Sequence, residues 1–397
     1  TPVLSILSAV LPELRSGDAE VQDTAAKQLR SFVERRGREM SSEAFSAYVN
    51  HLIKVIFAEL VNTPDTQAKI GGILALDELI DMPCEENESQ LISVFKSYFQ
   101  FCFSLGHNEQ ILRIAARSLA HLARAGGMLS ASIVGGEVDK ALEWLQEESE
   151  HRRVSGVLIL KEMALQNPTL FTPHVDTFLD KIWMPLRDHK HNVREAATEA
   201  LKACLVLVPK TRLPNARLPQ KRYDTLFKEV QNSFKSNTAQ SIHGGLLVSE
   251  QLLLNSGDFM QARFKEVCEK LLFYKDHKDR LVRDTVISIL PKLALFEAEA
   301  FTRGYLTNCL KSSITHFSKE ANPTSQGIAL IALGQTAVAV KDAIEPLLPD
   351  IMRLVADTFS QSAKSRHPCI TQALECIGML AQAVGTKLLD LLGDCTD

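Results

Sequence analysis

Little in this sequence points to covalent, redox or metal chemistry. Its eight cysteines (Cys84, Cys102, Cys204, Cys268, Cys309, Cys369, Cys376 and Cys395) include no C-x-x-C pair. The usual zinc spacings and the thioredoxin-like motif are therefore missing. Most of these cysteines sit inside apolar stretches, so they read as buried reduced thiols acting as small hydrophobes. Aromatic residues are scarce, at 6% of 397 positions, while Leu, Ala, Glu and Lys fill the runs between prolines and lean the composition toward helix. No run approaches the roughly 20 apolar residues that a membrane-spanning helix needs. The net charge is only −4, which gives no reason to expect nucleic acid or an anionic membrane as partner.

Catalytic signatures are missing too. There is no G-x-x-x-x-G-K-S/T, no G-x-G-x-x-G, no H-R-D and no D-F-G, the nearest match being Asp258-Phe259-Met260. His189-x-His191 beside Asp188 is the best metal-like cluster, but it lacks further ligands at zinc spacing and reads as a polar helix-start turn. Ser155 lies on a helical stretch, not on a strand–turn–helix elbow. Trp144 and Trp183, with apolar neighbours, read as core. No cofactor and no enzyme are expected.

What the sequence does contain is a repeat. A small residue, an apolar one, then apolar residues three and six positions further on recur nine times. The starts are Ala25-Ala26, Gly72-Ile73, Ala115-Ala116, Gly156-Val157, Ala197-Thr198, Gly245-Leu246, Val286-Ile287, Ala329-Leu330 and Ala373-Leu374, spaced 47, 43, 41, 41, 48, 41, 43 and 44 residues apart. These apolar positions share one face of a 3.6-residue helix. A second amphipathic stretch precedes each, as in 45–60, 91–103, 175–186 and 264–273. Turns with Pro, Gly, Asp or Asn separate the two. A period of about 40–47 residues with two helices is that of HEAT or armadillo repeats. The expected fold is all-α: a single α-solenoid of about nine HEAT repeats, antiparallel helix pairs stacked into a superhelix. Its repeats are set at 1–36, 41–82, 88–126, 131–167, 171–208, 218–256, 258–296, 298–341 and 343–385, with 386–397 opening another. The leading small residue is expected to let helices of neighbouring repeats approach, so Gly245→Leu should overpack that contact. Arg113, Arg153, Arg194 and Arg283 recur near helix starts, with Asp188 and Asp276 in the turns before two of them; they read as a partial ladder of Asp–Arg pairs or, with more weight, as a solvated charged face.

One connection breaks the regularity. Residues 209–222 hold Pro209, Pro214 and Pro219 with Lys210, Arg212, Arg217, Lys221 and Arg222 and no acid. They read as an exposed basic loop, either merely solvated or a docking site for an acidic or phosphorylated partner segment.

At specific segments the chain also resembles a known family. Gly71-Gly72-Ile73-Leu74-Ala75-Leu76, Ala141-Leu142-Glu143-Trp144-Leu145, 152–164, 193–205, Ile242-His243-Gly244-Gly245-Leu246-Leu247 and Ile289-Leu290-Pro291-Lys292-Leu293-Ala294 resemble the amino-terminal HEAT region of the target of rapamycin (TOR) kinases. They run in family order from Ser16 to Gly385. Some members carry a long insertion before the seventh repeat, where this chain has only Asn255-Ser256-Gly257-Asp258. The resemblance implies that the chain is one end of a very large serine/threonine protein kinase central to nutrient-dependent growth control, its catalytic domain lying elsewhere. It implies a non-catalytic scaffold with protein partners: a second TOR subunit, a Raptor-type or Rictor-type subunit, and a Rheb-like small GTPase. The implied GTPase contact is placed at His107, Asn108, Glu109, Gln110 and Arg113. A cytoplasmic location is implied, with peripheral association at the lysosomal or vacuolar membrane through the assembled complex and no direct membrane insertion. Two rivals come from other classes. One is a HEAT adaptor such as a transport receptor or phosphatase scaffold, gripping a peptide or helix in its concave groove. The other is a repeat-built hydrolase, which would need His189 and His191 buried around a metal.

Overall fold

The structure, a computed structural model, describes residues 9–82, 88–104, 106, 108–208, 218–362, 368–385 and 387–388. Among them there are helices and turns and no strand. The chain divides into two compact units, Thr1–Leu213 and Pro214–Asp397.

In the first unit the longer helices are α1 (Ala19–Gly37), α2 (Ser42–Ile56), α3 (Thr66–Glu78), α4 (Glu88–Cys102), α5 (Glu109–Ala125), α6 (Ser130–Trp144), α7 (Glu150–Gln166) and α8 (His191–Leu205). The second unit holds α9 (Leu218–Lys235), α10 (Ala239–Asn255), α11 (Phe264–Phe273), α12 (Arg280–Phe296), α13 (Leu306–Lys319), α14 (Pro323–Val340), α15 (Leu348–Ser362) and α16 (Ile370–Val384). Each start of the recurring pattern lies on the second helix of a pair: α1, α3, α5, α7 and α8 in one unit, α10, α12, α14 and α16 in the other. These second helices pack on one another in chain order within each unit, and from α3 on each also packs on the first helix of its own pair. The fold is an all-α HEAT-type solenoid. Before α8 the first helix is broken into Pro168–Phe171, Val175–Lys181 and Trp183–Leu186. Pro185 would clash with the carbonyl of Lys181, and Pro173 likewise cannot continue a helical ladder.

Turn residues start the second helices by satisfying their first N–H groups. Asp18 accepts from the Glu20 amide, Asp65 from Gln67 and Asn108 from Ile111. Asp279 accepts from Leu281 and Val282, and Asn322 from Thr324 and Ser325. The patterned positions are then buried: Leu29, Leu76, Leu119, Leu160, Leu201, Leu246 and Leu333 have no exposed surface. Leu374, 56% exposed, departs from the pattern. Buried cysteines fill the same core, and burial pushes the Cys102, Cys309 and Cys376 thiols up to about 12.

The small residues act differently from the expectation. A Cβ on Gly72 would meet Leu60 and Val61, one on Gly156 the Ala141 carbonyl, and one on Gly245 Ser233 and Phe234. All of these partners lie on the first helix of the same repeat, so the close approach is within a pair, not between neighbouring pairs. Gly71, one residue earlier and turned by about 100°, does face the preceding repeat: its Cβ would stand 1.9 Å from the Leu14 carbonyl oxygen.

Two helical stretches, Ser42–Val61 and Pro323–Ser360, are long and apolar enough to cross a membrane by length and composition. This differs from the sequence expectation. About half of each apolar window is buried inside the fold (50% and 56%), and Leu52, Ile53, Ile56 and Leu60 lie fully in the core. Apolar length here is used in helix packing, because helices in the stack have neighbours on several sides.

A second recurrence appears twelve residues after the pattern start. Gly257, Lys341 and Gly385 share one conformation, with φ of 48°, 52° and 57° and ψ of −124°, −130° and −127°. Glycine takes this left-sided backbone freely, whereas a lysine side chain is strained in it. Lys341→Gly is therefore expected to stabilise the second unit by about 1 kcal/mol, read as a rise in its urea midpoint. A fall would contradict the strain argument.

Candidate protein-interaction site

The recurring arginines form the most organised polar feature. Arg153, Arg194 and Arg283 each stand three residues before a pattern start, in the first turn of α7, α8 and α12. From there the guanidinium reaches back into the turn before its helix. Arg153 donates to the Glu147 and Glu148 carbonyls, Arg194 to those of Asp188 and His189, and Arg283 to those of His277 and Lys278. Arg153 and Arg283 also bind the next repeat: Arg153 pairs with Asp188 at 2.5 Å, and Arg283 with Glu320. Arg153 and Arg194 are buried, 8% and 4% exposed. The reading of a solvated charged face is corrected by this, and the Arg153–Asp188 pair is of the ladder kind. The turn carbonyls lie unpaired at the end of the preceding helix, and a buried guanidinium satisfies two of them at once.

Arg113 is offset by one residue from this position and points elsewhere. Its guanidinium makes two bonds to Glu199, at 2.8 and 3.2 Å, and one to Glu109 at 2.8 Å. Lys161 joins Glu199 at 2.9 Å, so α5, α7 and α8 share one ionic cluster. Burial alone would raise the Glu199 carboxyl. The hydrogen bonds and charges of Arg113 and Lys161 instead bring it below the ordinary carboxylate value.

A parallel cluster joins α1, α3 and α5. His121 Nδ1 is 3.1 Å from Asp77 and Nε2 3.2 Å from Asp81, while Arg30 lies 3.4 Å from Glu78 and 3.5 Å from Asp81. The hydrogen bond that His121 donates to the Asp77 carboxylate, against a desolvation cost, raises the His121 pKa above the ordinary 6.5. A raised folded-state value means that the stabilisation is complete below 6.5 and is lost as pH rises through the folded pKa. The first unit is expected to weaken over that interval, and His121→Gln to flatten the dependence. Equal pH profiles for both proteins, followed by thermal unfolding, would contradict it.

Of the residues singled out from sequence, Lys210, Arg212, Arg217 and His107 lie outside the described residues. Lys221 is exposed, but Arg222 is buried at 6% exposure and engaged within the fold. Both stand on α9, which begins at Leu218, not in a loop reaching 222. Pro219 ends no helix there because the first turn needs no proline N–H. Asn108 is spent on its helix cap and Arg113 on its carboxylates, leaving Glu109 part-exposed beside Arg113 and Gln110 exposed.

Sequence reading missed a recurrence of exposed apolar side chains. Nine residues after the pattern start stand Leu165 and Val206 in the first unit, 54% and 42% exposed, and Leu254 and Leu295 in the second, 49% and 72% exposed. Four consecutive repeats thus present a large aliphatic residue at the same register, where burial does not require one. Extending the repeat alignment two positions past its core would have found them.

The features resembling catalytic sites are arranged otherwise. His189 faces Asp188 at 3.1 Å and His191 faces Glu195 at 3.1 Å, with 68% and 42% of their side chains exposed. Among the described residues no three His, Cys, Asp or Glu side chains gather as metal ligands. A buried Ser325, Asp284 and His316 do meet, but in the wrong order for nucleophilic catalysis. Ser325 donates to one Asp284 oxygen at 2.8 Å, and His316 Nε2 lies 2.8 Å from the other. The carboxylate stands between the hydroxyl and the imidazole that would have to accept its proton. The two tryptophans, 7% and 6% exposed, are core residues.

No protein-family model matches the chain. It is 36% identical over 378 residues to the serine/threonine-protein kinase TOR of Arabidopsis thaliana, across 95% of this chain and 15% of that protein. It is 30% identical over 379 residues to the serine/threonine-protein kinase tor1 of Schizosaccharomyces pombe, across 95% and 16%. The chain thus spans about 15% of the length of these relatives. Among solved structures, Kap121p superposes with a TM-score of 0.56 at 13% identity, over 98% of this chain and 39% of Kap121p. At that identity the likeness shows the helical-repeat fold alone.

Proposed function

We propose a specific assembly role for this chain, which belongs as a segment to the TOR serine/threonine-protein kinase family. It is a non-catalytic scaffold at the amino-terminal end of a large kinase, positioning protein partners for nutrient-dependent growth signalling. The partners are a second TOR subunit, a Raptor-type or Rictor-type subunit and a Rheb-like small GTPase. It works in the cytoplasm and at the lysosomal or vacuolar surface through the assembled complex. One observation carries the reading: identity runs along 95% of the chain yet reaches only 15% of the Arabidopsis relative, and the described residues are helical repeats. Such repeats give long surfaces suited to binding proteins. The exposed aliphatic positions Leu165, Val206, Leu254 and Leu295 are consistent with that use.

The test is affinity capture of the intact parent from cell extract. Recovery of Raptor-type or Rictor-type subunits supports the reading, and recovery of transport cargo or a phosphatase catalytic subunit in their place overturns it. Reversing Lys210, Arg212 and Arg217 to Glu is expected to leave the melting transition unchanged and to weaken capture of an acidic partner. Undiminished recovery of every subunit would remove that segment from the interface. For the GTPase, Gln110→Ala is the informative change, since Arg113 is held by carboxylates of its own chain.

A further inference from the structure

We propose that the second unit carries a binding site for a phosphate group in the recess between the turn at Lys275 and the outward side of α13. The recess measures about 190 Å³. That is the liquid volume of about six water molecules, enough for a tetrahedral oxyanion. It is lined by four cations, Lys275, Arg283, Lys311 and Lys319, against two carboxylates, Asp276 and Glu320.

Both carboxylates already have partners. Glu320 is bound by Arg283, its Nε at 2.8 Å, and Asp276 lies 3.8 Å from Lys319. Among the described residues no carboxylate lies within ion-pair distance of Lys275 or Lys311. Lys275 instead donates to Asn308 Oδ1 at 3.2 Å, and Asn308, which also lines the recess, keeps its amide N–H groups as further donors. Thr315, also lining the recess, adds a hydroxyl. Two cations in excess, an amide and a hydroxyl lining one small concavity are the donor set of a phosphate dianion.

The basic character is not a consequence of the repeat itself. Arg153 occupies the position of Arg283 in its own repeat, yet the turn it holds carries Glu147 and Glu148 where the turn held by Arg283 follows Lys275 and contains Lys278. Repeat packing needs the arginine and places no demand on the sign of the turn. Nor does the inference depend on the scaffold reading, because phosphate binding and partner capture are measured separately.

The experiment titrates inorganic phosphate, and separately O-phosphoserine, into the full 397-residue chain at constant ionic strength, with chloride as control. Binding is followed by thermal shift and calorimetry. A saturable rise in melting temperature is expected with phosphate and not with chloride. Lys275→Glu combined with Lys311→Glu is expected to weaken it about tenfold or more. Lys275→Gln and Lys311→Gln, which add no repulsion, should each weaken it less while melting like the parent without ligand. Phosphoserine binding at least as tightly as phosphate assigns the site to a phosphorylated side chain, and weaker binding to a free phosphate compound. No saturable effect, or an equal effect in the charge-reversed protein, overturns the proposal.

Discussion

Replacing Gly71 by alanine is expected to destabilise the first unit toward the upper end of the roughly 1–3 kcal/mol typical of overpacking, or beyond it. The added methyl would stand 1.9 Å from the Leu14 carbonyl oxygen and 2.7 Å from its carbon. Backbone cannot rotate aside as a side chain can, so α3 would have to separate from the preceding repeat. Gly245→Leu, by contrast, meets the Ser233 and Phe234 side chains at 2.8 and 3.1 Å and can be absorbed in part by their movement. Gly136, inside α6 with nothing within 4 Å of the place a methyl would take, supplies the opposite sign. Gly136→Ala should stabilise by about 0.5–1 kcal/mol through lower unfolded-chain entropy. Urea midpoints, with hydrogen exchange of residues 9–14 and α3 to localise the loss, separate the three. Gly71→Ala behaving like Gly136→Ala would show that α3 does not meet the Leu14 backbone as described.

Arg153→Met is expected to cost about 3–5 kcal/mol, as breaking a buried pair from one side does. The variant would leave Asp188, 9% exposed, without its cation, and the Glu147 and Glu148 carbonyls without their donor. Lys190 still donates its backbone N–H to Asp188 at 2.9 Å, which lessens but does not cancel the loss. Adding Asp188→Asn should restore part of the stability by removing the stranded charge while keeping that acceptor. A loss below about 1 kcal/mol in the single variant would place Arg153 among ordinary surface pairs. The double variant falling further than the single one would contradict the account of where the cost arises.

The repeat, its helices and most core positions were legible in the chain itself. Burial of one face demands apolar residues at helical spacing, and nine copies of that demand stand in line. Helix starts were legible for the same local reason: Asp65, Asn108, Asp279 and Asn322 cap amides two or three residues away. The polar architecture was not. Arg153 and Asp188 are 35 residues apart, and Arg113 and Glu199 are 86 apart. An arginine near a helix start therefore carries no local sign of whether it faces water or a neighbouring turn. Arg222 shows the same limit. Its basic, proline-rich surroundings read as loop, and its burial follows from which side of α9 packs inward.

By itself, then, the sequence determined an all-helical repeat chain, its period, its apolar faces and its family likeness, because each is written in spacings of a few residues repeated many times. Only the tertiary structure decided that Gly72, Gly156 and Gly245 admit the partner helix of their own repeat while Gly71 admits the preceding one. It also decided that Arg153 and Arg194 are buried pins of turns, and that Lys275 and Lys311 share one recess. Those outcomes depend on which residues distant in the chain come within a few ångströms, and periodicity sets a helix's face without choosing what that face will meet.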